Sequence, residues 1–99
     1  GLFVADRGTH CVYRLRLPGF ELVASAGGPG SGTGQLTSPQ GLALAGDTLF
    51  VSDCNNHRIV IYDAPFLEQV GAPFGREGSG PGELCYPHGL AVLDDQLLV

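Results

Sequence analysis

Apolar residues along this chain come in short bursts of alternating or β-branched character, and each burst is bounded by Gly, Pro, Asn or Asp. That is the punctuation of strands, and no stretch keeps the period of an amphipathic helix. The pattern predicts nine strands, near Leu2–Ala5, Val12–Leu15, Glu21–Ala26, Leu42–Ala45, Leu49–Ser52, Arg58–Tyr62, Leu67–Ala72, Leu90–Leu93 and Leu97–Val99. The bursts also repeat. Leu2-Phe3-Val4-Ala5-Asp6 returns as Leu49-Phe50-Val51-Ser52-Asp53, an offset of 47 residues. Gly32-Thr33-Gly34-Gln35-Leu36 through Pro39-Gln40-Gly41-Leu42-Ala43 returns as Gly80-Pro81-Gly82-Glu83-Leu84 through Pro87-His88-Gly89-Leu90-Ala91, offset 48.

A fixed period in this range marks repeated units that bury their apolar faces only against one another. Four short antiparallel strands per period are the content of one β-propeller blade. The predicted fold class is therefore all-β, a propeller segment of four-stranded antiparallel blades. Residues 1–27 supply the last three strands of a first blade, 28–75 one blade with its inter-blade loop, and 76–99 the first two strands of a third. Both ends fall inside the repeat, so the chain reads as about two periods of a longer array whose neighbouring blades are its first partners.

The chain must travel from the outer edge of one blade to the inner strand of the next. Three inter-strand steps of about 4.8 Å make about 14 Å, whereas the residues from Gly27 to Gln40 can reach about 46 Å at roughly 3.3 Å each. Gly30, Gly32 and Gly34, with their copies Gly78, Gly80 and Gly82, are expected to supply the positive-φ positions that fold this slack away. They do not make a phosphate cradle, because neither copy spells Gly-x-Gly-x-x-Gly and the chain has no Lys.

The turn between second and third strands carries polar residues in both copies. Asp6 and Asp53 are expected to accept backbone N–H groups one or two residues on, and Gly8 and its counterpart Asn55 to take left-handed conformations. His10 and His57 recur at one position, which favours a ring hydrogen-bonded within the turn over a catalytic one. Asp94-Asp95, in the place of Gly46-Asp47, reads as a hairpin turn.

Ten acidic residues against five Arg give a net charge of −5, which offers little to a phosphate backbone and disfavours nucleic acid as a partner. The longest apolar runs are four residues, far short of the roughly 20 that span a bilayer. Cys11, Cys54 and Cys85 lie too far apart for a zinc knuckle or a Cys-x-x-Cys pair and read as free thiols. They leave the compartment open.

Asp53-Cys54-Asn55-Asn56-His57-Arg58-Ile59 after Leu49-Phe50-Val51, with the Gly80-to-Ala91 approach, resembles the NHL repeat, named for Asn-His-Leu. Asn56-His57-Arg58 stands in that place, and Thr9-His10-Cys11 departs from it, so an Asp53–Arg58 ion pair has no counterpart between Asp6 and Cys11. The resemblance implies a propeller, commonly of six blades, used mostly as a binding surface. The expected function is a scaffold for a protein or peptide ligand, without catalysis, cofactor or metal. Family members include tripartite-motif ubiquitin ligases, whose propeller recognises the target. The amidating-lyase branch builds its metal site partly from a His after Pro at the start of an innermost strand. His88 has that look, but the equivalent residue is Gln40, and a catalytic zinc needs three converging protein ligands. Gln40 and His88 are therefore expected to line the channel without metal.

Overall fold

A computed structural model of the chain describes residues 2–79, 84, 91–93 and 96–98. Gly80, Gly82, His88 and the Asp94-Asp95 turn lie outside the described residues. The fold is all-β, with antiparallel sheets as propeller blades have. In chain order the strands are β1 (Leu2–Asp6), β2 (Cys11–Arg16), β3 (Glu21–Gly27), β4 (Pro39–Ala45), β5 (Thr48–Asp53), β6 (Arg58–Asp63), β7 (Glu68–Gln69), β8 (Ala91–Leu93) and β9 (Gln96–Leu98). They form three sheets in sequential order, β1-β2-β3, β4-β5-β6-β7 and β8-β9.

Turn chemistry fixes the register. β4 and β5 pair Ala45 with Thr48 across the two-residue turn Gly46-Asp47, where Gly46 has φ 58, the left-handed conformation that tight hairpins require. β5 and β6 pair without slippage from Thr48↔Asp63 to Asp53↔Arg58. Successive side chains of a strand alternate between faces, so Leu49, Val51 and Asp53 share one face with Arg58, Val60 and Tyr62. The apolar members of that face are buried in a core with Val12 of the first sheet and Leu36 of the connecting loop, and Phe3, Ala24, Ala26 and Leu42 pack around it. One core thus joins the first two sheets.

The expected strand over Leu67–Ala72 is shorter than the sequence pattern suggests. Leu67 takes φ 54 and Gly71 φ 67, and these two left-handed residues confine regular pairing to Glu68 and Gln69. The chain rejoins the sheet at Phe74, which exchanges backbone hydrogen bonds with Ile59 at 2.7 and 2.8 Å. β4 in turn begins earlier than expected, at Pro39, with a register shift before Leu42 that falls on Gln40 and Gly41. There the Gly41 N–H donates to the buried Ser52 Oγ at 2.6 Å instead of to a ladder carbonyl.

The repeat in sequence is a repeat in backbone hydrogen bonding. Leu36 N–H donates to Gly28 O and Gly30 N–H to Leu36 O; 48 residues on, Leu84 N–H donates to Arg76 O and Gly78 N–H to Leu84 O. Gly27 (φ 110) and Gly75 (φ 100) enter these loops. A Cβ on Gly27 would stand 2.7 Å from His10 O and 2.9 Å from Leu36 Cδ1, and one on Gly75 would stand 2.7 Å from Leu84 Cδ1. Gly27 therefore requires glycine for space, against backbone, as well as for φ, and Gly75 requires it for φ.

Candidate functional site

Asp53 ends β5 on the buried face, where the loop from the first sheet crosses over it. Its side chain has no exposed surface. Oδ1 accepts the Thr37 N–H at 2.6 Å, and Oδ2 accepts Arg58 Nε at 2.7 Å and Asn56 Nδ2 at 2.9 Å. Arg58 is the directly opposed residue on β6, so the ion pair is set by strand register.

The remaining donors of Arg58 reach into the glycine loop. Nη1 donates to Ser31 O at 3.1 Å, and Nη2 to Gln35 O at 2.8 Å and Gly32 O at 3.4 Å. The planar guanidinium suits this, since its donors leave in several fixed directions at once. Asn56 Nδ2 also reaches Gly30 O at 2.8 Å, the carbonyl to which Thr37 Oγ1 donates at 2.8 Å. Asp53, Asn56 and Arg58 are thus a clasp that closes the 30–37 loop onto the second sheet. Within the loop, Gly30 (φ 143) and Gly34 (φ 77) have positive φ, as does Gly78 (φ 151) in the next copy. Gly32 does not; its N–H donates to Gln35 Oε1 at 2.9 Å.

Three sequence expectations about the turn need correcting. The left-handed residues are His10 (φ 59) and His57 (φ 55), and neither Gly8 nor Asn55 has positive φ. Cys54–Asn56 form one right-handed turn of 3-10 helix, closed by His57 N–H to Cys54 O, so the reversal into β6 falls on the residue after it. His tolerates that region better than most side chains. Asp53, secondly, accepts no backbone N–H from its own turn, only the Asn56 side-chain amide, and holds the Thr37 N–H instead. Asp6 does behave locally, accepting Gly8 N–H at 2.8 Å and Thr9 N–H at 3.4 Å. Those bonds hold its carboxyl below the usual carboxylate range.

The His10 ring, thirdly, bonds outside the turn. His10 Nδ1 accepts the Ser38 N–H at 2.9 Å, and His10 O accepts Gly28 N–H at 2.9 Å, so His10 ties the first sheet to the segment that enters β4. His57 is largely buried, with Nε2 3.8 Å from Glu77 Oε1 in the following loop. Cys11, in the place of Arg58, directs its Sγ to Thr9 O at 3.4 Å. Gln40 is half-buried at the shift in β4. Cys54 is buried, and burial pushes its thiol up from the ordinary value. Among the described residues no three metal-ligating side chains converge, and no helix is long and apolar enough to cross a membrane.

Thr37, Ser38, Ser52 and the Gly27/Gly75 pair are the contributors that sequence reasoning passed over. The signal was present for the glycines, which recur 48 residues apart beside the recurring Leu36 and Leu84.

Residues 36–62 match the family model of the NHL repeat. This segment is similar to the NHL repeat. The match opens on the buried Leu36 and ends on the buried Tyr62, so the matched segment contains Thr37, Asp53, Asn56 and Arg58, which hold the glycine loop that precedes it. No curated protein matches the chain.

Proposed function

We propose that the chain forms neighbouring blades of an NHL propeller, of six blades as the family resemblance implies, and serves as a scaffold that presents a surface to a protein or peptide. The observation that carries this reading is the use made of the motif's polar side chains. Asp53, Asn56 and Arg58 direct their charges and donors at one another and at loop carbonyls within the chain, a use that supports reading them as parts of the framework. A framework held this tightly suits binding through preformed surfaces and loops. The segment contributes no catalytic group in this reading.

Selection of a displayed random-peptide library on the immobilised chain tests it. Enrichment of related peptides that then bind saturably in solution is expected. Absence of enrichment, together with slow hydrolytic or lyase turnover of peptides by the chain, would overturn it.

A further inference from the structure

We infer that the crevice between the outer parts of the first two sheets binds a peptide segment presenting a carboxylate between apolar side chains. This rests on the protein-binding reading above and names the chemistry of the partner. Val12, Arg14 and Arg16 project from the face of β2 that meets the second sheet. Val12 is fully buried in the shared core, Arg14 is half-buried and the Arg16 side chain is 68% exposed. Along one strand the interface therefore passes from packed apolar contact to an open cleft.

Two depressions meet at Arg14. The larger, of about 290 Å³, is bounded also by Arg16, Leu17, Val23 and Phe66. The smaller, of about 160 Å³, lies between Phe3, Leu44 and the turn segments Gly46-Asp47 and Ala64-Pro65. Arg14 is held in place by donating from Nη1 to Pro65 O at 2.6 Å, and among the described residues no carboxylate pairs with it. A neutral carbonyl fixes the guanidinium without compensating its charge. Arg16 faces Glu21 at 3.7 Å, with both side chains mostly exposed, a pairing that an incoming carboxylate can displace at little cost. Asp47 bounds only the smaller depression.

Two of the five Arg of a chain with net charge −5 thus converge on one cleft. Phe66, Leu17 and Leu44, 65%, 52% and 50% exposed, lie around it. A purely apolar occupant would cover Arg14 and leave its charge unpaired, which is costly, and a cationic one would be repelled. A carboxylate can take a fork of guanidinium N–H donors, while neighbouring Leu or Phe side chains cover the exposed apolar surface and exclude water from the pair.

The test is fluorescence anisotropy with fluorescein-labelled peptides of alternating Glu and Leu, of alternating Gln and Leu, and of alternating Lys and Leu. The Glu-Leu peptide is expected to bind saturably, about tenfold or more tighter than the other two. Arg14→Gln should weaken it about tenfold and Phe66→Ser several-fold, with Arg7→Gln, remote on the first turn, leaving it unchanged. Phe66 is exposed, so Phe66→Ser remains a valid test where Arg14→Gln disturbs the contact with Pro65. Equal binding of the Glu-Leu and Lys-Leu peptides, or binding indifferent to both cleft variants, would overturn the proposal. So would self-association by sedimentation that Phe66→Ser abolishes without any peptide binding, which would assign the cleft to a second copy. A chain that selects library peptides yet ignores the Glu-Leu peptide would refute the cleft assignment alone and leave the scaffold reading standing.

Discussion

Replacing Asp53 by Ala removes a carboxylate with no exposed surface that accepts three hydrogen bonds of 2.6 to 2.9 Å. The three donors do not suffer equally. Asn56 Nδ2 keeps Gly30 O, and Arg58 keeps the loop carbonyls of Ser31 and Gln35. The Thr37 N–H loses its acceptor, and a buried donor so orphaned costs about 1–3 kcal/mol. Arg58 also loses its counter-charge. Breaking a fully buried pair costs about 3–5 kcal/mol, but the Arg58 side chain is 16% exposed, so water recovers part of that. About 3 kcal/mol in total is expected, which for a chain of this size lowers the melting temperature by more than about 10 °C. Urea denaturation followed by circular dichroism measures it, with Asp6→Ala as the internal control. Asp6 occupies the same place in the first copy, but its carboxylate is exposed and serves only Gly8 and Thr9, whose N–H groups water can satisfy. Asp6→Ala should therefore melt close to the unaltered chain. A loss for Asp53→Ala below about 1 kcal/mol, or equal losses for the two variants, would refute the clasp.

Tyr62 offers the opposite sign. Its hydroxyl is buried with no hydrogen-bond partner among the described residues, so Tyr62→Phe should stabilise the chain by about 1 kcal/mol, and a clear loss in the same denaturation assay would contradict this. Burial pushes the Tyr62 hydroxyl up from 10 to about 12. The unfolded chain therefore releases this proton first, and stability falls as pH rises from 10 towards about 12; a pH series should show that decline in the unaltered chain and not in Tyr62→Phe. Gly27→Ala should cost about 3 kcal/mol by thermal melting, and Gly28→Ala, at φ 112 but with open space around its Cβ position, about 1–2 kcal/mol. Equal costs would show that φ alone matters there. Asn55→Val, whose residue has no positive φ, should melt within a few degrees of the unaltered chain.

The strand content, the sequential order of the sheets and the Gly46-Asp47 hairpin were legible because each depends on local alternation and turn chemistry. The cross-strand Asp53–Arg58 pair was legible too, since it follows from register across one turn. What Asp53 holds besides Arg58 was not. Thr37 lies 16 residues upstream, and nothing in the turn announces that a loop from the preceding sheet will cover it. The same distance hid the partner of His10: its recurrence at the place of His57 suggested a framework position, and nothing local named Ser38. Assigning left-handed backbone to Gly8 and Asn55 applied residue preference where hydrogen bonding decides. The 3-10 turn over Cys54–Asn56 is right-handed, and the reversal has to follow it. β7 was overread because apolar content at Leu67 and Val70 masks the conformations of Leu67 and Gly71.

Amide hydrogen exchange at Thr37 tests the clasp most directly. Thr37 N–H donates to Asp53 Oδ1, and the carbonyls of residues 31, 32 and 35 are held by Arg58. In the unaltered chain this amide should be protected as strongly as those of β5 and β6. In Asp53→Ala its exchange should accelerate by at least about tenfold more than that of Val51 or Val60, because the loop opens while the sheet persists. Unchanged protection at Thr37, or acceleration shared evenly by the loop and the strands, would contradict the claim that the turn after β5 holds the glycine loop.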